Sequence, residues 1–205
     1  MATLGMMKTR IARELQIDAT TFDTDITDAI FSAIGYYNDH DFWFLETAPA
    51  TVLLTATGAY SMEAILPGRS QIHNLQLVYN QNTEAMLYRT PGEFANLQSQ
   101  FTGDPTFFTV NADELLVEPI PARTFTAIAW YSLRKSITSS NSASGVWTTE
   151  AEEIIRLHAK VDLLTNRIKD YPEAMQIQGR LTDVLDKFDE KTVQRRGSRR
   201  IKPCL

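Results

Sequence analysis

The sequence predicts an α+β protein: a bundle of N- and C-terminal helices, an antiparallel β region of hairpins inserted between them, and an extended basic C-terminal tail. Three observations carry this expectation. Apolar residues recur at spacings of three and four near both ends, as Leu4, Met7, Ile11 and Leu15 and again as Ile154, Leu157, Val161, Leu164 and Ile168, which lines one face of a helix. Between about 50 and 133 that period gives way to short apolar runs punctuated by Gly, Asn and Pro, the mark of strands and turns. The segment KTVQRRGSRRIKPCL holds six bases and no acid, too little apolar surface to offset the entropy of ordering it.

In chain order, the first helix is expected over roughly 3–16. The Thr- and Asp-rich stretch Asp18 to Asp25 then offers N-caps for a second helix with Ile26, Ile30, Ala33, Ile34 and Tyr37 on one face. It runs into Phe42, Trp43 and Phe44. Three consecutive aromatics cannot share one side of a helix, so the triplet either sits at a helix end touching two surfaces of the core or meets a neighbouring subunit. Burial in the core is the ordinary fate of such residues.

In the middle region, ATVLLTA and AYSM flank Thr57-Gly58, and IHNLQLVY and EAMLY flank Asn80 to Thr83, so each pair reads as a hairpin. Pro91 opens a short helical piece over roughly 92–100. Thr106 to Val110 and Glu114 to Glu118 make another hairpin, stopped by Pro119 and Pro121, and Phe125 to Leu133 is a longer strand. Residues 136–145, SITSSNSASG, carry no charge and read as a flexible solvated loop. Thr149 and Glu152 fit a capping box for the next helix, Tyr171-Pro172 breaks it, and a last helix over roughly 173–190 turns Ile177, Leu181, Val184, Leu185 and Phe188 to one side. The expected organisation is therefore a helical bundle from 1–48 and 146–190, a β region over 49–135, the loop 136–145 and a tail over 191–205.

Composition narrows the function. The 205 residues are 43% apolar and 22% charged with one cysteine, the profile of a globular protein with one or two cores. The single thiol, Cys204, excludes an intramolecular disulfide and a Cys-based zinc site. No apolar run approaches the ~20 residues of a membrane span and the first residues lack a signal-peptide layout, so no membrane partner is expected and the chain is expected in a cytoplasm. Charge is divided unevenly. Lys191, Arg195, Arg196, Arg199, Arg200 and Lys202 make 191–205 +6, while 1–190, with 14 bases against 25 acids, carries −11.

No chemistry stands out. His40, His73 and His158 lie on separate elements without a second ligand at metal spacing. Asp39-His40-Asp41 could begin a divalent-metal site of the phosphohydrolase kind, but it lacks further His partners and reads better as a polar helix end. Nine glycines form no phosphate-cradling or nucleophile-elbow motif. Glu150, Glu152 and Glu153 suit the first turn of a helix, where negative charge opposes the dipole. The spacing over 154–168 is too short for a coiled coil by itself. No catalytic, cofactor or metal site is expected.

The basic tail is left with three roles. It could neutralise phosphates, as in a DNA-binding accessory protein, although no aromatic is interleaved for stacking and the acidic body repels a polyanion. It fits better as an arm that orders on an acidic protein partner, with Ile201 and Leu205 as apolar anchors and the arginines pairing carboxylates. A merely solubilising role is the third.

The order of parts resembles a known family. The opening helix, AIFSAIGYYNDHDFWFLET, the turn-rich region with YRTPGEFANLQ and TGDPTFFTVNADELLVEPIPA, the strand ending WYSLRKSI, and VWTTEAEEIIRLHAKVDLL are together similar to the head-to-tail adaptor, or connector, family of tailed bacteriophages. The resemblance covers nearly all of 2–190. Its most specific pieces are the helix ending in Tyr36-Tyr37 and leading to the aromatic triplet, the Gly103-Asp104-Pro105 turn before a hairpin closed by Pro119 and Pro121, and Trp147 ahead of the C-terminal helix pair.

The resemblance implies a non-enzymatic virion protein without cofactor, assembled in the host cytoplasm and placed in the neck between capsid portal and tail. Such proteins form a ring, typically of twelve subunits, beneath the portal. The ring extends the DNA channel, through which double-stranded DNA passes without specific binding, and offers a docking face to tail or neck proteins. The family's C-terminal segment commonly reaches the portal, which carried over here is Lys191 to Leu205. Repeated around a ring, an acidic body would give a lumen that does not grip phosphates, and neighbouring subunits would cover any of Phe42, Trp43 and Phe44 left exposed.

Overall fold

A computed structural model describes residues 2–79, 82–97 and 101–200, without the side chains of Ser70 and of residues 196–200. The first elements are α1 (Leu4–Glu14), α2 (Asp23–Tyr37) and a 3-10 turn (Trp43–Leu45). The middle of the chain forms β1 (Ala50–Leu54), β2 (Ala59–Ser61), α3 (Met62–Ile65), β3 (Arg69–Tyr79), β4 (Asn82–Ala85), β5 (Leu87–Tyr88) and α4 (Pro91–Ala95). Next come β6 (Thr102–Gly103), β7 (Phe107–Asn111), β8 (Glu114–Glu118), β9 (Ile120–Pro121) and β10 (Phe125–Leu133). The chain closes with α5 (Val146–Thr149), α6 (Glu152–Leu163), a π-helical turn (Leu164–Ile168) and α7 (Tyr171–Arg200). The fold is α+β, as the two periodicities predict. It divides into two compact units, one holding the chain up to Leu45 and again from Lys135, the other Glu46–Arg134.

The helical unit is built on the predicted stripes. Leu4, Met7 and Ile11 of α1, Ile26, Ile30, Ala33 and Tyr37 of α2, and Ile154, Leu157 and Leu163 of α6 share one core with Ile177, Leu181, Val184 and Phe188 of α7. Each large side chain buried there contributes about 1.5–3 kcal/mol. Charged residues tie α1 to α6 beside that core: Glu14 accepts from Arg156 at 2.6 Å and from Lys160 at 3.2 Å, and Arg10 donates to Glu152 at 2.9 Å.

The Ser-rich loop is largely exposed and meets the start of α1: the Leu4 and Gly5 amides donate to the Ala143 and Asn141 carbonyls at 2.9 Å each, and Lys8 Nζ donates to Asn141 Oδ1. With Thr3 Oγ1 accepting from the Met6 amide, three of the amides a helix start leaves without intrahelical partners are satisfied. One local expectation needs correction: the Thr149–Glu152 capping box does not form. Thr149 belongs to α5, Ala151 caps α6 without a side-chain bond, and the Glu152 carboxylate is taken by Arg10.

The helix pair also departs from its predicted end. The π turn inserts an extra residue into the 3.6 period, which rotates Ile168 out to the surface, and Lys169, at φ +62°, ends the helix with the Asp170 amide donating to the Leu164 carbonyl. Pro172 lies in the first turn of α7, where its missing amide costs nothing. That helix then runs on through Arg200. The expected extended tail is therefore corrected for 191–200, whose backbone is helical, while Ile201, Lys202 and Leu205 lie outside the described residues.

The β unit holds two four-stranded sheets, ordered β1-β10-β3-β4 and β2-β8-β7-β5, and a two-stranded one, β6-β9. The β3–β4 and β7–β8 hairpins form as predicted. β1 and β2 do not pair with each other: β1 runs antiparallel to β10 with Ala50 opposite Ala129, and β2 antiparallel to β8 with Ala59 opposite Leu116. The Thr57-Gly58 turn thus passes the chain from one sheet to the other. The short pairings β5–β7 and β6–β9 are parallel, not antiparallel. Val52, Leu54, Leu75, Leu77, Leu115 and Val117 fill the unit's own core.

Candidate functional site

All candidate residues with described side chains lie in the helical unit, where the end of α2 meets α7. After Tyr37, the Asn38 side chain holds the backbone of Lys135, accepting from its amide at 2.7 Å and donating to its carbonyl at 3.1 Å. Lys135 Nζ donates to the Phe44 carbonyl at 2.8 Å, and Trp147 Nε1 donates to the Lys135 carbonyl at 2.6 Å. These bonds fix the segment that carries the aromatic triplet.

All three rings are buried in the core of their own unit, the first of the two placements open to such a triplet. Phe42 stacks on Phe44 with centroids 5.2 Å apart, Phe44 meets Trp147 edge-on at 5.5 Å, and Trp43 stacks on Phe188 at 5.3 Å. Aromatic pairs at such separations contribute about 0.5–1.5 kcal/mol beyond area burial. A consecutive triplet achieves this because a 3-10 turn, with three residues per turn, points neighbouring side chains in different directions.

The first part of the basic segment is engaged by the same cluster. Lys191 Nζ lies 5.6 Å from the Trp43 ring centroid and the Arg195 guanidinium carbon 5.0 Å from it. Between them Thr192 is buried, its hydroxyl donating to the Phe188 carbonyl at 2.9 Å and accepting from the Trp43 amide at 3.4 Å. Two of the six predicted tail cations, Lys191 and Arg195, therefore rest on an aromatic face. Arg196, Arg199 and Arg200 continue the helix backbone with side chains outside the description, and Val193 between these groups is 70% exposed.

Asp39-His40-Asp41 is a helix end beside aromatics. His40 stacks on Phe42 at 5.6 Å and its Nδ1 lies 3.3 Å from the Tyr36 carbonyl. Among the described residues no three His, Cys, Asp or Glu side chains come together as metal ligands, and no helix is long and apolar enough to cross a membrane.

Sequence reasoning missed one feature here, a cavity of about 270 Å³ between α2, α6, the π turn and α7. Tyr36 and Tyr37 form one wall and His158, Asp162, Thr165 and Gln178 face them. The Tyr36 and Tyr37 rings each lie 5.2 Å from the His158 ring, and His158 Nδ1 is 3.1 Å from the Tyr37 hydroxyl. Burial pulls His158 below the usual imidazole range, against the nearby Asp162 carboxylate, and pushes the Tyr37 phenol above its own. The Tyr-Tyr pair was visible in sequence, but the π turn that brings Thr165 to the same space was not.

A family model described as SU10 adaptor protein matches residues 2–202 of the chain. No curated protein matches it.

Proposed function

The chain belongs to the SU10 adaptor protein family of bacteriophages, and from that premise we propose that it is a structural component of the virion neck that joins portal to tail. In this reading about twelve copies form a ring beneath the portal, extend the DNA channel and dock tail or neck proteins, while the end of α7 and the residues after it anchor on the portal. The observation that carries it is the division of charge, −11 over 1–190 against +6 over 191–205. A ring of acidic bodies leaves passing DNA unbound, and a compact run of arginines suits carboxylates on a protein partner.

The surface of the β unit supports a docking role. Leu53, Leu87, Tyr88 and Phe101 are all exposed, and each is a large apolar side chain of the kind that interfaces cover. The reading in which the basic segment instead serves a DNA-binding accessory protein rests on the same six cations.

Co-sedimentation with the purified portal ring separates the two. The informative comparison is the full chain against one ending at Arg195, because that truncation removes Arg196, Arg199, Arg200 and Lys202 and leaves the Trp43 contacts in place. Near-stoichiometric binding by the full chain, lost on truncation, is the expected result. Binding to duplex DNA without binding to the portal, falling steeply with salt, would replace the adaptor reading by the accessory one.

A further inference from the structure

We propose that the cavity between α2, α6 and α7 is a socket for an arginine or lysine side chain from the basic C-terminal segment of a second copy of this chain. The proposal rests on the reading of the protein as a self-assembling adaptor and names one of the contacts by which copies join.

Size and lining select the occupant. At about 270 Å³ the cavity has room for one long side chain with a few waters. Among the described residues no Lys or Arg lines it, and the one formal charge in its lining is the Asp162 carboxylate. Two tyrosine rings form a wall, with Tyr36 57% exposed at the mouth. Thr165, Asn166 and Gln178 add oxygen acceptors, the first two presented by the π turn. Aromatic faces, one carboxylate and several neutral acceptors are the recognition chemistry of an organic cation with many donors, which guanidinium supplies best. His158 adds no opposing charge, because its burial favours the neutral ring.

The chain already shows this mode of recognition, since Lys191 and Arg195 rest over the Trp43 ring in their own subunit. Its own remaining cations cannot reach the cavity. α7 lines it with Gln178, Leu181 and Leu185 and then continues as helix to Arg200, which at 1.5 Å per residue sets the nearest of them, Arg196, about 16 Å beyond Leu185 and Arg200 about 22 Å beyond, more than an arginine side chain spans. Lys202 lies two residues beyond, and two extended residues plus a lysine side chain span about 14 Å. A donor from a second copy has no such restriction. The contact pairs unlike surfaces of two subunits, a heterologous arrangement that closes into a ring when its rotation permits.

The test titrates a labelled peptide of residues 191–205, with serine at the cysteine position, into the dilute full chain at low salt and reads fluorescence anisotropy. Saturable binding is expected, weakened at least about tenfold by Asp162→Asn and by Tyr36→Ala, with Asp162→Glu closest to the parent. Asp189→Asn, on the exposed side of α7, should leave affinity within about twofold, because exposed charges contribute little. Melting temperatures of all four variants check that each is folded. No saturable binding, equal binding by parent and socket variants, or an equal loss with Asp189→Asn each overturns the socket. A chain that binds the portal ring but not the peptide keeps the adaptor reading and loses this contact, whereas one that binds the peptide but not the portal does the reverse.

Discussion

The Arg195 guanidinium carbon lies 5.0 Å from the centre of the Trp43 ring, across 152 residues of sequence, and with Lys191 on the same ring it fastens the start of the basic segment to the helical unit. The cations at this end of the chain consequently fall into two groups. Lys191 and Arg195 are held on an aromatic face, and the remaining four follow them.

Two truncations should separate those groups. A chain ending at Arg195 retains Thr192 and both cations and is expected to melt within about 2 °C of the full chain, since it keeps the side-chain contacts that fasten this segment to Trp43 and Phe188. Ending at Glu190 removes the buried Thr192 with its two hydrogen bonds and the cation–π contacts of Lys191 with Trp43 and Phe188 and of Arg195 with Trp43. The expected cost is about 1–3 kcal/mol, with Trp43 emission shifting red as its ring meets water. Equal melting of the two chains in thermal scans contradicts the fastening.

Glycines at two helix positions should respond with opposite sign. In the middle of α7, a Cβ on Gly179 meets nothing within 4 Å, so Gly179→Ala should stabilise by up to about 1 kcal/mol through helix propensity. A Cβ on Gly5 would stand 3.0 Å from the Asn141 carbonyl oxygen and 3.1 Å from its Cβ. Asn141 has little freedom to retreat, because its carbonyl accepts from the Gly5 amide and its side chain from Lys8. Gly5→Ala should therefore destabilise by about 1 kcal/mol despite the better propensity. Urea unfolding of both variants reads the signs.

Acid should act on this fold in two steps. Burial lowers His158 from the ordinary 6.5, so the unfolded chain binds more protons there and stability falls as pH drops from about 6.5 toward the folded value. His158→Gln should flatten that limb. For Glu14, burial alone would raise the carboxyl, but hydrogen bonds from Lys160 and Arg156 outweigh it and hold the group below 4.5. Its contribution is complete above 4.5 and is lost as pH falls through the lowered folded value. Glu14→Gln should lower stability at neutral pH and leave less to lose below 4.5. Denaturant midpoints measured between pH 3 and 8 separate the two, and an unchanged slope in both variants contradicts the assignment.

The helical core was legible because its signal is local: three- and four-residue spacings decide which face of α1, α2, α6 and α7 is apolar without reference to distant chain. Pairing was not. Val52 and Leu54 mark a strand, but nothing near them says that the partner is β10 rather than β2. The Thr-x-x-Glu pattern occurs at Thr90–Glu93 and at Thr149–Glu152, and the capping box forms only at the first, because Glu152 is drawn to Arg10 on another helix. The contacts of 191–195 are hidden from the sequence for the same reason. Read alone, 191–195 cannot order itself, and the ring that orders it stands at position 43. Of the candidate site, the aromatic triplet was visible as residues and its covering partners were not.

Asn38 helps to fix the position of the aromatic segment. Its side chain pairs with both backbone groups of Lys135, as a neighbouring strand would, at the point where the chain re-enters the helical unit. Asn38→Ala leaves the Lys135 amide without that acceptor in a half-buried site and should cost about 1–3 kcal/mol. Asn38→Asp keeps the acceptor but sets a carboxylate oxygen against the Lys135 carbonyl, so its loss should be similar or larger. Trp147→Phe preserves the edge-on contact with Phe44 and gives up only the Nε1–H bond to that carbonyl, for about 1 kcal/mol. Because Asn38 and Trp147 both donate to the Lys135 carbonyl, Asn38→Ala and Trp147→Phe should be non-additive in a double-mutant cycle. Strict additivity in urea unfolding would show that Lys135 is held by something other than these two side chains.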